Sequence, residues 1–267
     1  MTGVAAWRFA AAARPGTGHV REGLPCQDRY ACQVVPSTQG PVLVAVVSDG
    51  AGSAAESARG AELICAELLD EIRCRLADGV PAGTDWLRAC VAAVRERLFA
   101  EAERLGLPPR ELAATLLCAV LAPDWSAFAQ IGDGAIVTPE LGTGAWAWMF
   151  WPQRGEYANT TSFLTDPAAL ERLEADSLPH GQDEVALFTD GLQHLVLDYG
   201  AQRVHDPFFD RILGPVRHSS ARGEDHTLST GLEAYLGSPP VASRTDDDLT
   251  LVLASRVTEP ADLAPTH

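Results

Sequence analysis

Three aspartates, Asp49, Asp133 and Asp190, each close an apolar run and stand directly before a glycine. Asp28 precedes a further apolar run, and the triplet Asp246-Asp247-Asp248 precedes the last one. A carboxylate at a strand end is held by the sheet yet points past its edge, and a following glycine allows a tight turn and close approach of a ligand to backbone. One Asp-Gly pair signals only a turn. Convergence of five acidic strand ends would mean something else, because two carboxylates about 4 Å apart repel by roughly 1 kcal/mol in water and about 4 kcal/mol at an effective dielectric of 20. Such a cluster needs cations. All-oxygen ligation selects magnesium or manganese over zinc, and two such ions can polarise a phosphoryl group and make a hydroxide near neutral pH.

The elements that would carry these carboxylates can be read from apolar periodicity. Trp7 to Ala13, Tyr30 to Val35 and Val42 to Val47 read as strands, the third ending at Ser48-Asp49-Gly50. From Ser53, apolar residues at three-and-four spacing through Leu76 predict a long amphipathic helix, and Thr84 is placed to cap a second one running to Leu105. Thr115 to Leu121 and Trp125 to Ile131 flank a Pro123-Asp124 turn and predict a hairpin. Short strands follow at Ala135 to Thr138 and Ala145 to Trp151; a polar stretch from Gln153 to Asp176 separates them from a strand over Glu184 to Thr189. Pro207 to Leu236 reads as two helices and Leu249 to Ser255 as the final strand. Hairpins outnumber strand-helix-strand alternation, so the expected class is α+β, with mainly antiparallel sheets and helices on their outer faces.

Composition narrows the partners. The 267 residues carry 36 acidic side chains against 20 basic ones, a formal net charge of −16, and every basic residue is an arginine. The lack of lysine excludes a Schiff base, a phosphate-loop lysine and a kinase-type ATP lysine. With the arginines scattered singly, nucleic acid and membrane are not expected partners. No apolar run reaches transmembrane length and no secretory leader is evident, so a cytoplasmic protein is expected. Six cysteines without metal-type spacing read as buried free thiols. The tryptophans Trp146, Trp148 and Trp151 read as sheet packing or a surface ridge rather than a ligand platform.

Gly18 to Asp28 (with Pro-Cys-Gln-Asp at its end), Val-Ser-Asp-Gly-Ala-Gly-Ser from Val47, Ile-Gly-Asp-Gly from Ile131, Phe-Thr-Asp-Gly-Leu from Phe188 and Asp-Asp-Leu-Thr from Asp247 together resemble the metal-dependent type 2C serine/threonine protein phosphatases, in a bacterial branch. The resemblance spans about residues 5 to 256, with residues 1–256 as catalytic domain and 257–267 as a flexible tail. It implies a four-layer α-β-β-α sandwich and a dinuclear manganese or magnesium site with a third, looser ion. It implies that Asp49 bridges two metals, that the Gly50 carbonyl binds one, that Asp190 and Asp247 complete the other shell, that Asp28 acts through water, and that Asp133 shares the third ion with Asp190. The implied catalytic set is Asp49, Asp190 and Asp28.

Three departures stand out. Gln27 replaces a carboxylate beside Asp28, Ala51 stands where many relatives carry a histidine suggested as leaving-group acid, and Gly23 stands where a phosphate-binding arginine is common. Arg21, two residues away, is the substitute candidate for phosphate, and His19 for the acid, although a lone histidine is more often structural. The function implied is hydrolysis of phosphoserine and phosphothreonine on proteins by a metal-bound hydroxide, in a signalling role opposite a serine/threonine kinase. The alternative is a catalytically weak pseudophosphatase acting as a binding or regulatory module. A phosphoesterase for small molecules is a third reading.

Overall fold

Alternation within single strands decides the architecture. In the strand over Gly40–Ser48, Leu43, Ala45 and Val47 pack into one cluster and Val42, Val44 and Val46 into another, and all six are fully buried. A strand covered on both faces must be the inner layer of a stack, which is why its sequence is a continuous apolar run.

The computed structural model describes residues 5–79, 83–153 and 161–258. Its strands are β1 (Ala5–Arg14), β2 (Arg29–Ser37), β3 (Gly40–Ser48), β4 (Leu116–Leu121), β5 (Ser126–Ile131), β6 (Ala135–Pro139), β7 (Trp146–Trp148), β8 (Glu174–Leu178), β9 (Glu184–Phe188), β10 (Leu197–Asp198), β11 (Arg203–Val204), β12 (Gly223–Glu224) and β13 (Leu249–Thr258). Its helices are α1 (Thr17–Glu22), α2 (Ser57–Ala77), α3 (Thr84–Leu105), α4 (Ala169–Arg172), α5 (Gln193–Val196), α6 (Asp206–His218), α7 (His226–Leu236) and α8 (Pro239–Ala242). One sheet has the order β12-β1-β13-β9-β6-β7 and the other β2-β3-β4-β5-β8. Every pairing in them is antiparallel except the short parallel one between β1 and β12.

Trp7, Phe9, Leu117, Phe128, Leu187 and Val252 fill the space between the sheets. Ile64, Leu68, Leu87, Val91 and Leu98 seal α2 and α3 onto the outer face of the five-stranded sheet. Phe209, Leu213, Leu232 and Leu236 do the same for α6 and α7 on the six-stranded one. The result is the expected α-β-β-α sandwich. Fully burying each such side chain stabilises the fold by about 1.5 to 3 kcal/mol before entropy is counted.

Several local expectations need correction. The helix expected from Ser53 begins at Ser57, because residues 51–56 are used in turns that bond back to the loop before β4, through Ala51 N to Ala113 O and Glu56 N to Glu111 O. Thr84 is not a cap: Gly83 holds that position, and the Thr84 hydroxyl donates to Ser177 Oγ at 3.1 Å. The strand expected to reach Trp151 stops at Trp148. Conversely, β13 runs to Thr258, two residues into the expected tail, because Ala5 and Ala6 of β1 continue the ladder opposite Thr258 and Val257. Residues 259–267 lie outside the described residues.

All six cysteines are free thiols, but only Cys65, Cys90 and Cys118 are buried as expected; Cys26 and Cys32 are partly exposed and Cys74 lies on the exposed face of α2. Trp146 packs on Phe209 with ring centroids 5.2 Å apart and donates its Nε1 to Asp210, while Trp148 and Trp151 meet edge to face at the surface.

Candidate metal centre and its cleft

The acidic strand ends converge at one edge of the sandwich. Asp49 follows β3 and is clamped to the residue before β4: its N–H donates to the Thr115 hydroxyl at 2.9 Å, and the Thr115 N–H donates to the Asp49 carbonyl at 2.8 Å. Ser48 adds a third bond, from its hydroxyl to the Thr115 carbonyl at 2.6 Å. Asp133 sits in the turn between β5 and β6, which Gly132 makes with a φ of +108°, a region closed to most side chains. The Thr161 hydroxyl donates to Asp133 Oδ2. Asp190 opens the helical turn directly after β9.

One carboxylate oxygen from each of Asp49, Asp133 and Asp190 lies within 4.8 Å of the others. These three line a cleft of about 200 Å³ together with His19, Gln27, Gly50, Thr115, Thr161, Asp247 and Asp248. Asp247 thus shares the cleft without joining the tight cluster. Among the described residues, no arginine lines it.

Asp28 lies beneath, 1% exposed, with Oδ2 accepting from the Thr189 hydroxyl at 2.8 Å. That hydroxyl also accepts from Thr250 N–H at 3.0 Å, so one threonine joins the first acidic motif to β13. Asp248 is the second organiser. Buried at 2% exposure, it accepts from Gly16 N–H and His19 Nδ1 on one oxygen, both at 2.7 Å, and from Gln27 N–H on the other at 2.6 Å. It pulls α1 and the Cys26-Gln27-Asp28 segment onto the end of β13.

The electrostatics of the cleft are unfavourable without a cation. Burial lifts the Asp28 carboxyl to about 8, against the donated Thr189 bond, with the Asp248 and Asp190 charges adding to the rise. Burial, then Asp133 and Asp247, lift Asp190 to about 7. Asp49 is held well above the carboxylate range by burial and by the charges of Asp28, Asp190 and Asp247. Asp133 and Asp247 are raised as well, each mainly by burial. Two buried carboxylate oxygens, Asp28 Oδ1 and Asp190 Oδ1, have no hydrogen-bond partner, and neither has Gln27 Oε1. Buried oxygens are normally satisfied. An all-oxygen donor set with orphaned carboxylate atoms is what a hard divalent cation requires.

The structure therefore brings together Asp28, Asp49, Gly50, Asp133, Asp190 and Asp247. It does not bring Arg21 into the cleft: that side chain is 71% exposed on α1, with its guanidinium 3.6 Å from the exposed carboxylate of Asp246. His19, read as a lone residue in a strand connection, lies on α1 and faces the cleft through its bond to Asp248. Ala51 packs with Ala54 and Ala113 and offers no proton. Sequence reasoning missed Asp248 and the threonines 115, 161, 189 and 250. The position of Thr189 directly before Asp190, and of Thr250 after Asp247-Asp248-Leu249, was the available signal.

Residues 15–236 match the family model described as protein phosphatase 2C. The chain is 38% identical over 250 residues to serine/threonine-protein phosphatase 3 of Escherichia coli strain K12, covering 93% of this chain and 98% of the relative. Among solved structures, a bacterial serine phosphatase superposes with a TM-score of 0.61 at 16% identity, over 95% of this chain and 99% of that one. A serine/threonine phosphatase of S. agalactiae does so with 0.60 at 12% identity, over 93% and 99%. At those identities the structural likeness speaks for the fold alone.

Proposed function

The chain belongs to the protein phosphatase 2C family, and from that premise we propose how its acidic cleft performs phosphoprotein hydrolysis. It is a metal-dependent serine/threonine protein phosphatase. The observation that carries the site assignment is the cluster of Asp49, Asp133 and Asp190 within 4.8 Å, buried enough to raise their carboxyls and lined by no arginine among the described residues.

Asp49, the Gly50 carbonyl, Asp190 and Asp247 are proposed to hold two manganese or magnesium ions, with Asp133 and Asp190 sharing a third. Bound divalent ions supply neutralisation of the phosphoryl oxygens and a lowered pKa for bound water. The protein's own contribution is rigidity. Thr115 fixes the Asp49 backbone from two directions, Thr161 orients Asp133, and Thr189 holds Asp28. Asp28 and Gln27 stand at the edge of this set. An amide there brings no charge, so the proposed second ion is held more weakly than a Glu-Asp pair would hold it.

Arg21 is proposed to meet substrate phosphate after leaving Asp246. Both partners of that pair are mostly exposed, and such pairs contribute about 0 to 1 kcal/mol, so the guanidinium is free to swing. The substrates are phosphoproteins made by a serine/threonine kinase. The six free thiols support a reducing, cytoplasmic setting, and no described helix is long and apolar enough to cross a membrane. The catalytic unit is proposed to end with β13 rather than at residue 256.

The pseudophosphatase reading is not favoured, since Asp49, Asp190 and Asp247 of the proposed two-ion site and Asp133 for a third ion line one cleft, with Asp28 buried beneath it. The test is hydrolysis of a phosphothreonine peptide by the purified protein with manganese or magnesium, and again after exhaustive chelation. Turnover that needs the ion supports the reading, and full turnover in excess chelator sinks it.

A further inference from the structure

Beside α6 and α8 the surface holds a groove of about 350 Å³ that the acidic cleft does not use. Its wall is apolar, from Phe208, Ile212 and Val241, and Arg211 and Arg244 stand on its rim with Tyr235. In a chain with 36 acidic residues, no carboxylate among the described residues lines this groove. The neighbouring acids are engaged elsewhere: Asp206 accepts from Trp146 N–H, and Asp210 from the Trp146 indole. Both rim arginines are exposed, and among the described residues neither has a hydrogen-bonded or ion-paired partner for its guanidinium. Most other arginines are different, bonded to carboxylates or carbonyls on every side of the molecule.

Its position ties the groove to the cleft. Arg244 stands three residues before Asp247, so their Cα atoms are within about 11 Å of each other. Leu195, which also lines the groove, stands five residues after Asp190 and within about 18 Å. An extended peptide advances about 3.3 Å per residue, so three to six residues span from a phosphoresidue in the cleft to the groove.

We propose that this groove docks an acidic, apolar-bearing segment of the phosphoprotein substrate, three to six residues from the phosphorylated side chain. Arg211 and Arg244 take its carboxylates, and the Phe208–Ile212–Val241 wall takes one large apolar side chain. The inference rests on the phosphatase reading above. It deepens that reading by naming a substrate class: sites flanked by Asp or Glu with an aromatic or aliphatic residue among them.

The experiment uses the manganese-loaded full chain and phosphothreonine peptides with an Asp-Glu-Phe block on either side of the phosphoresidue. Control peptides carry Asn-Gln-Phe instead. On wild type, the acidic block on one side should lower KM about tenfold, the size expected of two such ion pairs, with kcat unchanged. The Arg211→Ala/Arg244→Ala double variant should lose that preference, while Arg73→Ala/Arg104→Ala, which removes the same charge from α2 and α3, should keep it. Hydrolysis of p-nitrophenyl phosphate should be equal in all three proteins. Fluorescence anisotropy of the labelled peptides should show the same ordering of affinities, so the docking assignment is measured even if turnover is absent. Equal KM and equal affinity for acidic and neutral peptides, or a preference that survives in the Arg211/Arg244 variant, overturns it. Failure of wild type to hydrolyse p-nitrophenyl phosphate with metal counts against the phosphatase assignment of this cleft and leaves the anisotropy result to decide the docking.

Discussion

Gly191 lies so close to Asp248 that a Cβ built on it would stand 2.1 Å from the Asp248 carbonyl oxygen. The turn after β9 and the turn before β13 therefore touch backbone to backbone, and this contact sets Asp190 beside Asp247. Backbone cannot yield as a flexible side chain can. Gly191→Ala should therefore lower stability by about 1 to 3 kcal/mol, as overpacking does, and should weaken metal binding because the two carboxylates move apart. Thermal melting with and without manganese checks both effects. An unchanged melting temperature with unchanged metal response would mean that the two turns are not locked together.

Removing charge from the cluster separates catalysis from stability. Asp49→Asn and Asp190→Asn should each lower turnover at least on the order of 100-fold, since direct ligands matter more than the outer partners, whose loss costs roughly 10- to 100-fold. In the metal-free state the same variants should melt no lower than wild type, because burial of Asp49 and Asp190 among like charges costs stability when no cation is present. Steady-state rates and melting curves in chelator test the pair of statements. Near-normal turnover in either variant would mean the site is misplaced.

The raised carboxyls make a signed statement about pH. Asp28, lifted from 3.8 to about 8, and Asp190, lifted from 3.8 to about 7, keep protons in the folded state that the unfolded chain has already released. Their contribution to stability is thus fully present below about pH 4 and is lost as pH rises through about 7 to 8. The metal-free protein should melt lower at pH 8.5 than at pH 5.5. Saturating manganese should shrink that gap, since the ion takes the place of the protons. Melting temperatures across this range, with and without manganese, read the effect directly. A metal-free melting temperature that climbs steadily from pH 5.5 to 8.5 would contradict the electrostatics of the cleft.

The parts of the fold that were legible in the sequence are those buried on a regular period. The runs Val42 to Val47 and Thr115 to Leu121 announced inner strands because both faces are covered, with Asp49-Gly50 marking the end of the first and the Pro123-Asp124 turn the end of the second. The strand β8 was hidden because it is an edge strand: Glu174, Asp176 and Ser177 give it no apolar alternation, and only its pairing with β5 makes it a strand. The helix α1 was hidden for a similar reason, having no buried residue and so no apolar stripe. Within the site, Asp247 and Asp248 are adjacent and identical in type. Only three-dimensional contacts show that Asp248 turns inward to Gly16, His19 and Gln27 while Asp247 lines the cleft. Arg21 is read from spacing alone: the short surface helix α1 leaves its side chain in solvent beside Asp246, so its proposed contact with phosphate needs a swing into the cleft.

The account stands or falls on whether metal held by this acidic cleft drives phosphate release. The measurement is a manganese titration of wild type and Gln27→Glu that follows phosphate release from a phosphothreonine peptide and thermal stability in the same samples. Gln27 lines the cleft with an unpartnered buried Oε1, so a carboxylate there should lower the manganese concentration for half-maximal release. The predicted result is that stability and release rise together in both proteins, at lower manganese in Gln27→Glu. Stabilisation of both proteins by manganese with no release at any concentration, across a broad set of phosphoserine and phosphothreonine peptides, would contradict the account and leave a binding module in its place.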